Sequence, residues 1–277
     1  VAGAVFAAQI VLGNFSMNLF APLVVSAVVA AMVSRSILGV EAWYQMPALV
    51  AGQSMSQLPW FLALGLMAGA LGAVFMKSIR YAELLFNRIK QPLYLRMALG
   101  GLAVGGIAIL VPEVWGNGYR ATNGILDGQY AWNWLALLLF AKLFATAITV
   151  GSGAVGGVFT PTLFLGAALG GLLGSALNEL GYAEGQPAAA FALVGMGSVL
   201  SATTHSPLLA MILVFEISLN YNLMPPLMVG CAVATIVSRR FHRDSVYTEP
   251  LRRRGLELDR ENPRLGTATL QTVGDLM

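Results

Sequence analysis

Of 277 residues, 57% are hydrophobic and only 10% are Asp, Glu, Lys or Arg, against about a quarter charged in an ordinary globular domain, which argues against a water-soluble fold. The net charge of +3 gathers near the C-terminal end with no basic groove or aromatic interleaving, so no nucleic-acid partner is expected. The one cysteine, Cys231, excludes a disulfide framework within the chain. The apolar residues fall in blocks long enough to span lipid, since about 20 helical residues cross a hydrocarbon core. An all-α integral membrane protein is expected.

The chain opens on Val1 inside an apolar stretch, without an initiator Met or a signal-peptide n-region, and reads as the interior of something longer. Residues 1–12 are read as the end of a helix, 18–38 as a span closed by Arg35, and 59–90 as a long segment that turns basic after Lys77. A span at 93–111 leads into a polar stretch with Gly116, Asn117 and Gly118. A span at 131–150, a glycine-rich break at 151–157 and apolar segments at 158–179, 188–202, 207–218 and 222–241 follow. Several are too short to cross a bilayer straight. Short, broken hydrophobic pieces are how transporters and channels place helix ends at mid-membrane, where unpaired backbone groups meet an ion.

An internal repeat supports transport. Residues 18–37 laid on 222–241 without gaps match at 10 of 20 positions, including Pro22 with Pro226 and Ser34-Arg35 with Ser238-Arg239. Duplicated halves, often inverted, are common in transport proteins. The expected organisation is the end of a first repeat at 1–58, whose upstream part precedes Val1, a long helix closing it at 59–92, a second repeat at 93–246, and a tail at 247–277.

In the break, Gly151, Gly153, Gly156 and Gly157 precede Val158-Phe159-Thr160-Pro161 and an apolar helix. Glycines remove the side chains that would keep an ion from the backbone, and Pro161 is tolerated in a first helical turn. Helix N-termini present free N–H groups and partial positive charge, so the construction suits an anion; the alternative is a hinge between two membrane helices. The string GSGAVG also satisfies a dinucleotide fingerprint, but it follows a membrane-length apolar helix rather than a strand, which argues against that use.

The segment GSGAVGGVFTPTLFLGAALG resembles the second anion-binding signature of the ClC family of chloride channels and chloride/proton exchangers, whose GxFxP core stands here as Gly157-Val158-Phe159-Thr160-Pro161. Ala192 to Leu200, Ser206-Pro207-Leu208 and Ile212 to Glu216 resemble the family's following helices, and Tyr247 falls where it carries its pore tyrosine. The resemblance covers residues 1–255 and implies the ClC chloride channel fold, an inverted repeat with broken and tilted helices. It implies that the amides of Val158 and Phe159 bind chloride, that Tyr247 donates a further hydrogen bond, and that Gly157 and Pro161 frame the site. The family's first serine signature and gating glutamate would lie before Val1. No cofactor is implied beyond chloride as the transported ligand.

Proton-coupled members carry an acidic pair on the helix matching residues 1–12; here it reads Gln9-Ile10. Isoleucine cannot relay a proton, so the resemblance shifts toward a passive channel of the bacterial, voltage-gated type, with a chloride/proton antiporter as the alternative. Glu216 and Lys142, ionisable residues in apolar runs, are candidates for supporting the pathway or for structural hydrogen bonds to nearby backbone. His205 beside Ser206 invites a nucleophile, but adjacent residues rarely form such a dyad; an intramembrane enzyme or scaffold is the remote alternative. Two histidines and one cysteine, widely separated, offer no metal-ligand spacing. Glycine rows at 65, 69 and 72, and at 166, 170 and 174, are expected to permit close helix packing.

The family further implies a homodimer using 18–38, 207–218 and 222–241. Arg239, Arg240, Arg243, Arg252, Arg253 and Arg254 place the C-terminus in the cytoplasm of a cell-membrane protein. A competing basic stretch from Lys77 to Arg96 would face outward if the halves are inverted. Residues 272–277 look like the opening strand of a CBS module, with a disordered tail as the alternative.

Overall fold

A chain surrounded by hydrocarbon must pair its own N–H and C=O groups, and these apolar blocks do so as helices. The computed structural model describes residues 2–11, 17–39, 44, 57–182 and 188–253, and among these there is no strand. Helix α1 (Ala2–Phe6) runs into a π-helical turn (Ala7–Val11). Then come α2 (Met17–Leu38), α3 (Leu58–Arg88), α4 (Leu93–Leu110), α5 (Tyr119–Leu126), α6 (Trp132–Gly151), α7 (Phe159–Glu179), α8 (Ala188–Thr204), α9 (Pro207–Ser218), α10 (Met224–Phe241) and α11 (Thr248–Arg253). Six of the described helices are long and apolar enough to cross a membrane, while α8 and α9 are shorter apolar helices. The expected mixture of full and short spans is therefore present.

Helix α8 forms the centre. Every residue from Ala189 to Thr204 is buried, which is why the helix is apolar all round rather than amphipathic. Three of its hydroxyls are paired: Ser201 Oγ reaches Cys231 O at 3.0 Å and Thr235 Oγ1 at 2.6 Å, Thr203 Oγ1 donates to Val199 O, and Thr204 Oγ1 donates to Leu200 O. The α7–α8 crossing depends on small residues. A Cβ on Gly174 would come within 2.9 Å of Ala188 Cα, and one on Gly166 or Gly170 would strike the carbonyl of Gly195 or Phe191. The α3–α10 crossing is built the same way, with Gly65 against Gly230 O and Gly69 against Ala234 O. Both glycine rows pack helices closely, as their spacing suggested.

Helices α3 and α10 run parallel. Gly65 meets Gly230, Gly69 meets Ala234, and farther along Lys77 Nζ lies over the Phe241 ring at 6.0 Å. At 31 residues, α3 is about 46 Å long and its last turns extend past a hydrocarbon core of about 30 Å. Arg253 reaches Glu83 there. The basic stretch from Lys77 to Arg96 thus shares one end of the molecule with Arg239, Arg240, Arg243, Arg252 and Arg253, correcting the expectation that the two clusters oppose each other. Arg254 lies outside the described residues, as does 272–277.

Two helices were not foreseen. The polar stretch after α4 contains α5, which buries Ala121, Thr122, Ile125 and Leu126. The charged tail begins with α11, whose first turn is closed by Ser245 and Thr248: Ser245 N donates to Thr248 Oγ1 at 2.9 Å and Thr248 N to Ser245 Oγ at 3.2 Å.

Candidate functional site

The glycine-rich break begins where α6 meets α3. A Cβ on Gly151 would fall 2.7 Å from Ala82 C and 2.9 Å from Glu83 N, so only glycine lets α6 end against α3. Gly153 has φ +88°, a conformation other residues adopt at a cost. The chain then runs exposed through Val155, Gly156 and Gly157 before α7 begins. Val158 caps that helix, its carbonyl accepting from Thr162 N at 3.1 Å. The first amides of a helix lack intrahelical acceptors, and among the described residues the N–H groups of Val158, Phe159 and Thr160 meet no other acceptor. Pro161 has no N–H to satisfy. Together they form a cluster of oriented donors at the positive end of a 21-residue helix.

Tyr247 approaches this helix start through Phe6. The Phe6 ring stands edge-to-face with Phe159 (centroids 5.9 Å, 89°) and with Tyr247 (5.8 Å, 83°). Tyr247 lies between α10 and α11, where Val246 N donates to Thr203 O at 3.0 Å. Burial pushes the pKa of its phenol up, which keeps the hydroxyl protonated and a donor.

Two cavities meet at the break. One, of about 480 Å³, is lined by Gly116, Asn117, Lys142, Gly156, Gly157 and Pro161. The other, of about 400 Å³, is lined by Arg80, Glu83, Gly156, Val158, Val246 and Arg253. Gly156 borders both. The second cavity opens at the basic end of the molecule. The first reaches residues 114–117, beyond the far end of α4, which starts at the basic end and runs away from it. Donors at the start of α7 therefore lie where cavities from opposite ends converge.

The remaining candidates occupy varied positions. Ile10 is buried with Val5 and Leu209, in a cluster that also includes Phe6 and Tyr247, and Gln9 lies beside it in the π-helical turn. Lys142 donates to Val114 O at 2.9 Å and Gly116 O at 2.8 Å, and lies over the Phe164 ring at 5.4 Å. Glu216 accepts from Ala2 N at 2.9 Å. Ser206 Oγ bonds the carbonyl of Thr204, and His205 occupies a left-handed corner (φ 56°) between α8 and α9. Among the described residues no group of His, Cys, Asp or Glu could hold a metal. Sequence reasoning missed Phe6, which its apolar surroundings mark only as core, and Glu83, Glu249 and Arg253. The i,i+4 spacing of Glu249 and Arg253 was the available signal for the last pair.

Comparisons with known proteins agree with this architecture. Residues 1–239 match the family model described as voltage gated chloride channel. A ClcB-like protein of Ralstonia nicotianae is 44% identical over 253 residues, covering 91% of this chain and 59% of that protein. The voltage-gated ClC-type chloride channel ClcB of Escherichia coli is 34% identical over 249 residues, covering 90% of this chain and 59% of that one. The chain thus spans about three-fifths of the length of these relatives. The crystal structure of a slow cyanobacterial Cl⁻/H⁺ antiporter superposes with a TM-score of 0.81 at 26% identity, over 91% of this chain and 60% of that one. With its helices in that arrangement and the family model covering residues 1–239, this chain belongs to the voltage-gated chloride channel family, ClC.

Proposed function

We propose that this chain carries the anion-binding half of a transmembrane chloride pathway. The amides of Val158 and Phe159 hold the anion, the Gly156 and Gly157 backbone lets it approach while Gly151 and Gly153 shape the turn before it, and the Tyr247 hydroxyl adds a donor on the far side of Phe6. One observation carries this reading: Gly156 lines cavities coming from opposite ends of the molecule, with the start of α7 between them. An amide cradle holds an anion without a full positive charge, which lets the ion leave again.

The pathway is a passive channel of the voltage-gated ClC type. Ile10 is buried among apolar side chains and offers no group that binds a proton. The second reading, a chloride/proton antiporter, is favoured by the likeness to a cyanobacterial Cl⁻/H⁺ antiporter. The chain sits in the cell membrane with its C-terminus facing the cytoplasm, a reading supported by the basic residues gathered at one end. The exposed α2 residues Val25, Val29, Val33 and Ile37 suit a homodimer contact.

The deciding measurement follows chloride efflux and external pH together from liposomes holding the full-length protein, with voltage clamped by a potassium ionophore. Chloride efflux without matched proton uptake is expected. Stoichiometric proton movement would make the protein an exchanger, and absence of flux would remove the transport reading.

A further inference from the structure

Tyr247 lies between two helices rather than within one, so the contacts of residues 242–253 decide where its ring and hydroxyl stand. Backbone pairing of Val246 with Thr203 and the mutual capping of Ser245 and Thr248 anchor the segment locally. The remaining ties are charged: Arg252 pairs with Asp244 at 2.9 Å within the segment, and Glu83 and Arg80 reach it from α3. Arg253 spreads its guanidinium over two carboxylates, one nitrogen 2.5 Å from Glu83 Oε2 and the other 2.5 Å from Glu249 Oε1. The second oxygen of Glu249 is 3.2 Å from His242 Nε2, and Arg80 Nε is 4.0 Å from Glu249 Oε1.

The Glu83 amide nitrogen also stands, behind Ala82 Cβ and C, among the atoms that crowd the space a Cβ on Gly151 would need. One residue therefore touches the start of the glycine break with its backbone and α11 with its side chain. The same four charged residues, Arg80, Glu83, Glu249 and Arg253, line the cavity that extends to Val158 and Val246. Arginine suits this position because its planar fork engages two carboxylates at once, which a lysine ammonium does not do in fixed geometry.

We propose that Glu83, Arg253 and Glu249 form a charged clasp that sets the position of Tyr247 relative to the start of α7, making Glu83 and Arg253 positioning residues for the anion site. The inference rests on the chloride-pathway reading above. The clasp acts on selectivity before it acts on folding. Hydrogen bonds weaken steeply as their length and angle depart from the optimum. A small shift of the Tyr247 hydroxyl therefore penalises chloride, which relies on directed donors, more than a large, weakly hydrated anion such as thiocyanate.

The test uses the full-length protein in liposomes and reads the ratio of thiocyanate to chloride flux. Glu83→Gln and Arg253→Gln are each expected to raise that ratio by about two- to five-fold, the range spanned by partly exposed ion pairs. Arg253→Lys is expected to shift it the same way by less. In a Tyr247→Phe background the same substitutions should add nothing, because their effect passes through the hydroxyl. An unchanged ratio in the single variants, or a shift that persists in Tyr247→Phe, overturns the clasp. Wild-type protein that moves no chloride overturns the pathway reading itself, and the clasp with it, whereas a conducting wild type with silent variants overturns the clasp alone.

Discussion

The Phe6 ring stands edge-on to the Tyr247 ring, with centroids 5.8 Å apart and planes at 83°, and it makes the same kind of contact with Phe159. A helix at the start of the chain thereby joins the two parts of the candidate anion site, more than 150 residues away in sequence.

Replacing Phe6 should therefore disturb the site and the fold together. Phe6→Ala removes two ring contacts and leaves a void beside Ile10 and Leu209, at a cost of about 3 kcal/mol. Phe6→Leu keeps most of the volume and loses only the edge-to-face geometry, about 0.5–1.5 kcal/mol for each ring pair. Thermal unfolding in detergent should rank the variants in that order, and both should alter chloride flux. A Phe6→Leu protein with wild-type flux and stability would show that the ring geometry does not matter.

The spans were legible because lipid imposes a simple rule: a block of apolar residues must be a helix. The break at 151–157 was legible for a related reason, since four glycines between two such blocks interrupt the apolar helix pattern and leave the backbone bare. Helix α5 escaped notice because its string of Gly, Asn, Tyr and Arg looks like a loop, and it becomes helical by laying Ile125 and Leu126 into the core. Helix α11 is short, and its capping pair of Ser245 and Thr248 is weaker than the Ser/Glu form that marks a helix start. The clasp on Glu83 was invisible for a different reason. Its partners lie 170 residues apart, and nothing local in either segment points to the other.

Close packing of α7 on α8 gives a prediction about the core. A side chain on Gly170 would collide with the Phe191 carbonyl, which is backbone and cannot turn aside. Gly170→Leu should cost at least the roughly 1–3 kcal/mol typical of overpacking, read as loss of the monodisperse detergent-solubilised protein. Gly101, which has open space around its Cβ position, supplies the control: Gly101→Ala should leave the protein intact. Equal behaviour of the two would mean that the α7–α8 contact is looser than described.

Lys142 offers a choice between holding backbone and attracting chloride. Its ammonium bonds the carbonyls of Val114 and Gly116, so Lys142→Met should leave two acceptors without a charged donor, costing about 2–3 kcal/mol. The expected signature is a lowered melting temperature with the chloride dependence of flux unchanged. Intact stability combined with reduced flux at low chloride would instead assign the residue to anion attraction.

The Glu249 carboxyl supplies a pH dependence with a defined sign. Burial alone would raise its pKa, but hydrogen bonds and charge from Arg253, and then from His242, outweigh burial and hold it below its ordinary value of 4.5. On the other side of the pair, the Arg253 guanidinium is held above its ordinary range, first by its hydrogen bond to Glu83. A carboxyl whose folded value is depressed contributes stability that is fully present above the unfolded value and is lost as pH falls through the folded one. The melting temperature of the detergent-solubilised protein should therefore hold steady as pH falls toward 4.5 and decline below it. Because the clasp is partly exposed, high salt should shrink that decline. Glu249→Gln should remove this component, lowering the melting temperature at neutral pH and flattening its fall in acid. A variant that kept the full acid-dependent loss would place the responsible carboxyl elsewhere, and the bond between Arg253 and Glu249 would then hold little of the segment that carries Tyr247.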